Sequence, residues 1–156
     1  MAYLMGMDIG TSSTRAIIID EAGYLLASAT SDYPMVTPQP GWAEQNPEDW
    51  WKASIKVIKE VIGKAKISPA DIACIGPSGQ MHGSVFLDRE GQVLRPALLW
   101  CDQRTQKQCD EIYSIFGYEG FIKLSYNKAL TGFTAPKILW LKENEPENYK
   151  KIYRIL

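Results

Sequence analysis

The most constraining stretch of the sequence is Gly6-Met7-Asp8-Ile9-Gly10-Thr11-Ser12-Ser13-Thr14-Arg15, an acidic and hydroxyl-rich segment set between two apolar runs. Tyr3-Leu4-Met5 precedes it and Ala16-Ile17-Ile18-Ile19-Asp20 follows, and both read as strands from their apolar content and the turn residues that bound them. The segment is therefore expected to be the tip of a hairpin. Gly10 admits backbone geometry that a side chain forbids, and amides exposed there, with the hydroxyls of Thr11, Ser12 and Ser13, are suited to donate to anionic oxygens. Asp8, at the strand end, is placed to hold a metal ion or its waters. The same residues also fit a plain turn in which the aspartate caps amides. The segment lacks the Gly-x-x-x-x-Gly-Lys-Ser/Thr pattern of a P-loop, which closes that route to nucleotide binding.

Further along, Glu21-Ala22-Gly23 supplies a turn and Tyr24–Ala29 a third strand, giving an antiparallel meander. Pro34, Pro38, Pro40 and Gly41 keep the next segment irregular, and Trp42-Ala43-Glu44-Gln45 is expected as a loop that docks its tryptophan. Asn46-Pro47-Glu48-Asp49 is a helix start, with Asn46 as cap and two acids at the positive end of the dipole. Trp51, Ile55, Ile58 and Ile62 recur at helical spacing and predict its core face, with Gly63 as its end. Asp71-Ile72-Ala73-Cys74-Ile75-Gly76 predicts a buried parallel strand. Such a strand delivers ligand groups at its carboxyl end, where Gly79-Gln80-Met81-His82-Gly83 arrives.

Val85–Asp88 and Val93-Leu94 read as another hairpin, and Ala97-Leu98-Leu99-Trp100 as an apolar run ending at Cys101-Asp102-Gln103-Arg104. Trp100 offers a flat face there, and Asp102 and Arg104 offer charge. Asp102 is equally placed to cap a helix whose face is Thr105, Cys109, Ile112 and Phe116, closed by Gly117. After Gly120 the pattern weakens until Thr134, which is expected to cap a helix carrying Ile138, Leu139, Trp140 and Leu141. A short helix over 146–151 and a strand over 152–156 follow.

With 156 residues and no repeat or low-complexity stretch, one domain with one ordinary core is expected. No apolar run is long enough to cross a membrane, and the first residues lack the pattern of a secretion signal, so a cytoplasmic protein is the default. The net charge of −1 and the scattered lysines and arginines argue against nucleic acid as a partner. Cys74, Cys101 and Cys109 lack the paired spacing of a zinc or redox motif. His82 is the only histidine, which excludes a histidine-rich metal site.

Assembled, these stretches resemble the amino-terminal part of the FGGY carbohydrate kinases, and among them the branch acting on xylulose. The resemblance is carried by Asp8–Ser12, Gly41–Pro47, Ser78–Gly83, Leu94–Trp100 and Gly132–Lys137. It implies a ribonuclease-H-like α/β fold of the actin and hexokinase superfamily: a mixed sheet of three antiparallel strands then parallel strands, with flanking helices. The chain would be the amino-terminal part of the first kinase domain. The resemblance also implies ATP and Mg2+ as cofactors, a small-molecule sugar as partner, and room for a homodimer of the full-length protein. Asp8 would serve the phosphates and magnesium. Gly10, Thr11, Ser12, Ser13 and Arg15 would serve the nucleotide, and Gln80, Met81, His82, Trp100 and Asp102 the sugar. The implied activity is phosphorylation of a ketopentose such as D-xylulose. Gluconate, glycerol and ribulose remain alternative substrates, and a non-catalytic sugar-binding domain an alternative class. The family's catalytic base lies in a Gly-Gly-Gly-Asp-Asn-like segment that has no match here, so the chain alone is expected to be inactive.

Overall fold

The hairpin expected near the amino terminus forms, and its strands run further into the polar segment than the apolar residues alone suggested. The computed structural model describes residues 2–156. Strand β1 is Tyr3–Ile9 and β2 is Ser13–Asp20, paired antiparallel with Asp8 opposite Arg15 and Ile9 opposite Thr14. The turn is thereby reduced to Gly10-Thr11-Ser12. The polar residues Asp8 and Arg15 lie on the exposed side of a strand whose other side buries Thr14 and Ala16, so alternation continues where apolarity stops.

Strand β3, Leu25–Asp32, completes the meander antiparallel to β2, and β5, Ile72–Gly79, lies parallel to β1. The sheet order is β3-β2-β1-β5. Helix α1, Pro47–Ala65, and a 3-10 turn at Pro69–Asp71 make the crossover, the latter held by a reciprocal capping box between Ser68 and Asp71. Met5, Ala16, Ile18 and Ala29 of the sheet pack on Val57 and Val61 of α1 in one cluster. Each of those two valines is fully buried, which stabilises by about 1.5–3 kcal/mol apiece.

Three expectations for this region change. The fully buried face of α1 is Ala53, Ser54, Val57 and Val61; of the expected stripe, Ile58 and Ile62 pack against the same cluster partly buried, while Trp51 is 63% exposed. The two candidate stripes are adjacent on the helix, and the one with small residues at positions 53 and 54 lets the helix approach the sheet closely. Helix α1 runs through Gly63, and the left-handed residue at its end is Lys66, with φ of 54°. Strand β5 is parallel as expected and stands at the sheet edge, but it is almost wholly exposed, Ile75 at 51%, because, of its residues, only Ile72 packs against the core cluster. The edge position also accommodates Pro77 within the strand.

The chain divides into two compact units: the residues up to Met35 with Glu48–Gln80, and Val36–Pro47 with Met81–Leu156. The single core expected from length is thus divided among separate clusters. In the second unit β4, Glu44–Gln45, pairs antiparallel with β7, Ala97–Leu98, so the expected docking loop is a strand. Strand β6, Phe86–Leu87, pairs with β8, Arg154–Ile155, while Leu87 and Val93 keep one bridge of the expected hairpin. Helices α2 (Gln106–Phe116), α3 (Tyr118–Ser125), α4 (Thr134–Asn144) and α5 (Pro146–Lys151) follow. One cluster joins Phe86, Leu98, Trp140 and Leu141, and another Cys109, Ile112 and Ala129.

Helix α2 is capped at Thr105 and not at Asp102, and α4 at Phe133 with Thr134 already helical. Phe116 is 49% exposed and stands off the α2 core face. Helix α3 has no counterpart in the sequence reading because none of its residues is fully buried and Gly120 interrupts it, so no apolar stripe marks it. No helix among the described residues is long and apolar enough to cross a membrane.

Candidate functional site

The residues singled out from the sequence fall in both units. In the first, exposed Asp8 stands near the carboxyl end of β1 and Arg15 faces it across the ladder, so the two side chains share one face of the sheet. Arg15 Nε donates to Thr30 Oγ1 at 3.3 Å. The Gly10 amide donates to the Ser13 carbonyl at 3.0 Å and closes the turn, leaving Thr11 and Ser12 at its tip. A Cβ on Gly10 would stand 3.3 Å from the Ser13 carbonyl oxygen and 3.5 Å from Asp8 Oδ2, so the glycine keeps a notch open beside the carboxylate.

Tyr33 braces this turn from below. Its hydroxyl donates to the Gly10 carbonyl at 2.5 Å and its amide to the Ser12 carbonyl at 3.2 Å. Burial pushes the Tyr33 phenol up from its ordinary pKa, so the hydroxyl remains a donor across the neutral range. Gln80 ends the unit, its amide donating to the Ile9 carbonyl at 2.9 Å.

In the second unit, His82 takes a left-handed backbone with φ of 62°. Its ring stacks on Phe133 at 4.4 Å between centroids and 31° between planes. His82 and Phe133, with Trp100, Gln103, Thr131 and Gly132, line a cavity of about 370 Å3. Thr131 Oγ1 donates to Gln103 Oε1 at 2.8 Å, and Gln103 Nε2 donates to the Cys101 carbonyl at 3.3 Å. The cavity therefore joins flat apolar faces to an amide and a hydroxyl, a combination suited to a small polyhydroxylated molecule.

Met81 is 72% exposed and, like Asp102, does not line this cavity. Asp102 is fully buried: Oδ2 accepts the Ala43 amide at 2.7 Å, and Oδ1 accepts the Arg104 amide at 2.9 Å. Arg104 Nη2 lies 2.8 Å from Asp102 Oδ2 and 2.7 Å from Glu44 Oε1. Arg95 bridges the same Glu44 to Glu145. The Arg104 guanidinium carbon sits 3.6 Å from the centre of the Trp42 ring and 4.8 Å from that of Trp140. Asp102 thus fixes the end of β7 and the segment that carries Trp100, and Trp42 docks by capping the cluster.

Sequence reasoning did not single out Gln103, Thr131, Phe133 or Lys137 as site residues. Three of them lie in or beside Gly132–Lys137, a stretch that stood out by its resemblance alone, since a lysine at a helical core position carries no pattern of its own. Lys137 is completely buried in the first turn of α4, and its ammonium donates to the carbonyls of His82 at 2.6 Å, Gly132 at 2.7 Å and Leu98 at 3.2 Å. Burial pushes its pKa down to about 8, while the nearby Asp102 charge opposes that shift. In the unfolded chain a lysine titrates near 10.4, so between about pH 8 and that value the unfolded state binds more protons at this position. Stability contributed by Lys137 is accordingly expected to rise with pH across that window and to be flat below it. Unfolding free energies of the wild type minus those of Lys137→Met, measured by urea titration from pH 7 to 10.5, should show that upward slope; a difference that falls with pH would contradict it.

An antiparallel meander extended by a parallel strand after a helical crossover, with a hydroxyl-rich turn between its first two strands, defines a ribonuclease-H-like domain of the actin and hexokinase class. The chain matches the profile of the "FGGY family of carbohydrate kinases, N-terminal domain" over residues 3–156, and it belongs to that family. It is 42% identical over 151 residues to xylulose kinase of Bacillus subtilis, an alignment covering 97% of this chain and 30% of that protein. The crystal structure of a xylulose kinase from Brucella ovis superposes with a TM-score of 0.92 at 36% identity, covering 99% of this chain and 32% of that one. Glycerol kinase of Plasmodium falciparum, solved with ADP, gives a TM-score of 0.88 at 28% identity, covering 97% of this chain and 30% of that one. The chain therefore spans about a third of the length of the relatives it matches.

Proposed function

We propose that the chain serves an ATP-dependent sugar kinase that converts D-xylulose to D-xylulose 5-phosphate, with Mg2+ as the accompanying ion. The observation that carries this reading is the cavity in which His82, stacked on Phe133, meets Trp100 and the Gln103–Thr131 pair, within a family of carbohydrate kinases. Aromatic faces take the carbon chain of a sugar, and the imidazole, amide and hydroxyl take its hydroxyls.

The donor set of the first turn fits the phosphates and metal of the nucleotide. Gly10 leaves room beside Asp8, the Thr11, Ser12 and Ser13 hydroxyls supply neutral donors, and Arg15 supplies charge on the same face. Among the described residues no group of three or more His, Cys, Asp and Glu side chains could hold a metal ion. Magnesium bound largely through waters and substrate phosphates needs only one or two carboxylates, which Asp8 satisfies. MgATP supplies the transferable phosphoryl group when bound. Asp8 would orient the metal's waters, the turn would fix the phosphate oxygens, and the His82 cavity would hold the acceptor sugar. No proton abstraction is assigned to any residue of this chain.

The test is ADP release by the full-length protein with D-xylulose, D-ribulose, gluconate and glycerol in turn. D-Xylulose is expected to give the highest kcat/KM, and ADP release at one rate with or without sugar would sink the reading. Similarity to a glycerol kinase favours a second reading, a kinase for another polyol, and the same panel separates the two. Within the first reading, His82→Ala should weaken sugar use by about 1.5–3 kcal/mol, mostly in KM. Asp8→Asn should act on kcat more than on the sugar KM. Equal effects of both substitutions on both constants would contradict the assigned roles.

A further inference from the structure

We propose that Lys137 is a positioning residue for the polyol cavity, its ammonium tying the main chain at His82, Leu98 and Gly132 into one cradle that fixes the His82 imidazole and the Gly132 wall. The inference rests on the reading of that cavity as the sugar site. Three features of the geometry support it.

First, the donors and acceptors match in number. An ammonium has three N–H donors and no acceptor, and three carbonyls stand within 3.2 Å of Nζ. They come from stretches 55, 39 and 5 residues away in sequence, so one side chain ties together, at a single point, three segments that also meet through the Ser84–Leu98 bridge and the His82–Phe133 stack. Burying a lysine is costly, and an apolar side chain would fill the same volume without that cost. What only the ammonium supplies is a point at which inward-facing carbonyls converge.

Second, two of those segments form the cavity. His82 is non-glycine at φ of 62°, a conformation that persists where the surroundings over-determine it. The bond to its own carbonyl at 2.6 Å is such a constraint, and it sets the direction in which the imidazole leaves the main chain. Gly132 lines the cavity directly and offers its carbonyl at 2.7 Å. Third, Lys137 lies one turn after Phe133 at the start of α4, so one helix end provides both the ring under His82 and the charge under its carbonyl.

The experiment uses the full-length protein and its Lys137→Met and Lys137→Gln variants. The imidazole proton resonances of His82 are identified as those lost in His82→Gln, and the Phe133 ring beneath them displaces them from the free-histidine position. In Lys137→Met these resonances are expected to move toward that position. The KM for D-xylulose should rise about tenfold or more while kcat stays within about threefold and the KM for ATP is unchanged. Lys137→Gln, which keeps two donors, should recover part of both losses, and it carries the test if the methionine variant does not fold. A working enzyme whose His82 resonances and sugar KM are unaltered by either substitution overturns the positioning role alone. A wild-type protein that phosphorylates none of the four polyols overturns the kinase reading, and with it the substrate role of Lys137.

Discussion

Arg104→Met is expected to destabilise the fold by about 3–5 kcal/mol, the cost of removing one member of a buried ion pair and leaving its partners charged. The Arg104 side chain is 1% exposed and those of Asp102 and Glu44 are 0% and 10% exposed, so water cannot replace the lost guanidinium. Glu44 would keep Arg95, but Asp102 would keep only two hydrogen bonds, from the amides of Ala43 and residue 104, with the Lys137 charge nearby. Urea denaturation of the wild type, Arg104→Met, Asp102→Asn and the double variant measures the coupling directly. Asp102→Asn on the Arg104→Met background should cost less than on the wild type, since it removes the stranded charge. Additive losses would mean that the pair is not the source of the effect. The guanidinium also lies against Trp42 and Trp140, so lost packing adds to lost charge, and a methionine replaces only part of it.

Gly132→Ala is the second large effect. An ideal Cβ at this position would lie 2.1 Å from the Trp100 carbonyl oxygen and 3.2 Å from its carbon. That oxygen belongs to the backbone of the segment held by Asp102, so no flexible side chain can swing aside and the main chain itself must move. The expected cost is about 3 kcal/mol, at the upper end of the range for overpacking. Because Trp100 and Gly132 both line the cavity, the displacement enters it, and under the proposed function the KM for D-xylulose should rise together with the loss of stability. Thermal unfolding and steady-state kinetics on one preparation test both. A variant that unfolds like the wild type and keeps its KM would show that the Trp100 carbonyl is free to relax.

The notch at Gly10 differs from this contact in kind. There the nearest atoms to a Cβ are at 3.3 and 3.5 Å, tight but tolerable, so the glycine keeps space open instead of permitting a backbone crossing. Under the proposed function, substitution at Gly10 is expected to be a matter of phosphate access, and at Gly132 a matter of folding.

Much of the fold is legible in the sequence because local chemistry and the tertiary answer agree. The apolar runs around Gly10, Thr11 and Ser12, the Asn46-Pro47 helix start and the glycine at position 117 each specify an element by its own residues, and each element is found. The candidate site is legible where a distinctive stretch carries it, as at Asp8–Ser13 and at His82 and Trp100. Its other walls are not, because Gln103 and Thr131 acquire meaning only by meeting each other across 28 residues.

The first three strands, the helix after Asn46, the hydroxyl-rich turn beside Asp8 and the family are all legible in the amino-acid order, since each is written in short stretches with their own local pattern, whereas β4 and α3 carry none. Packing settles which stripe of α1 is fully buried, that β5 stands exposed at the sheet edge, that Asp102 is buried in an ionic cluster, and that Lys137 gathers three carbonyls under the cavity. Those outcomes depend on contacts between segments far apart in sequence, where a lysine or an aspartate is bound or exposed according to what folds back against it and not according to its neighbours.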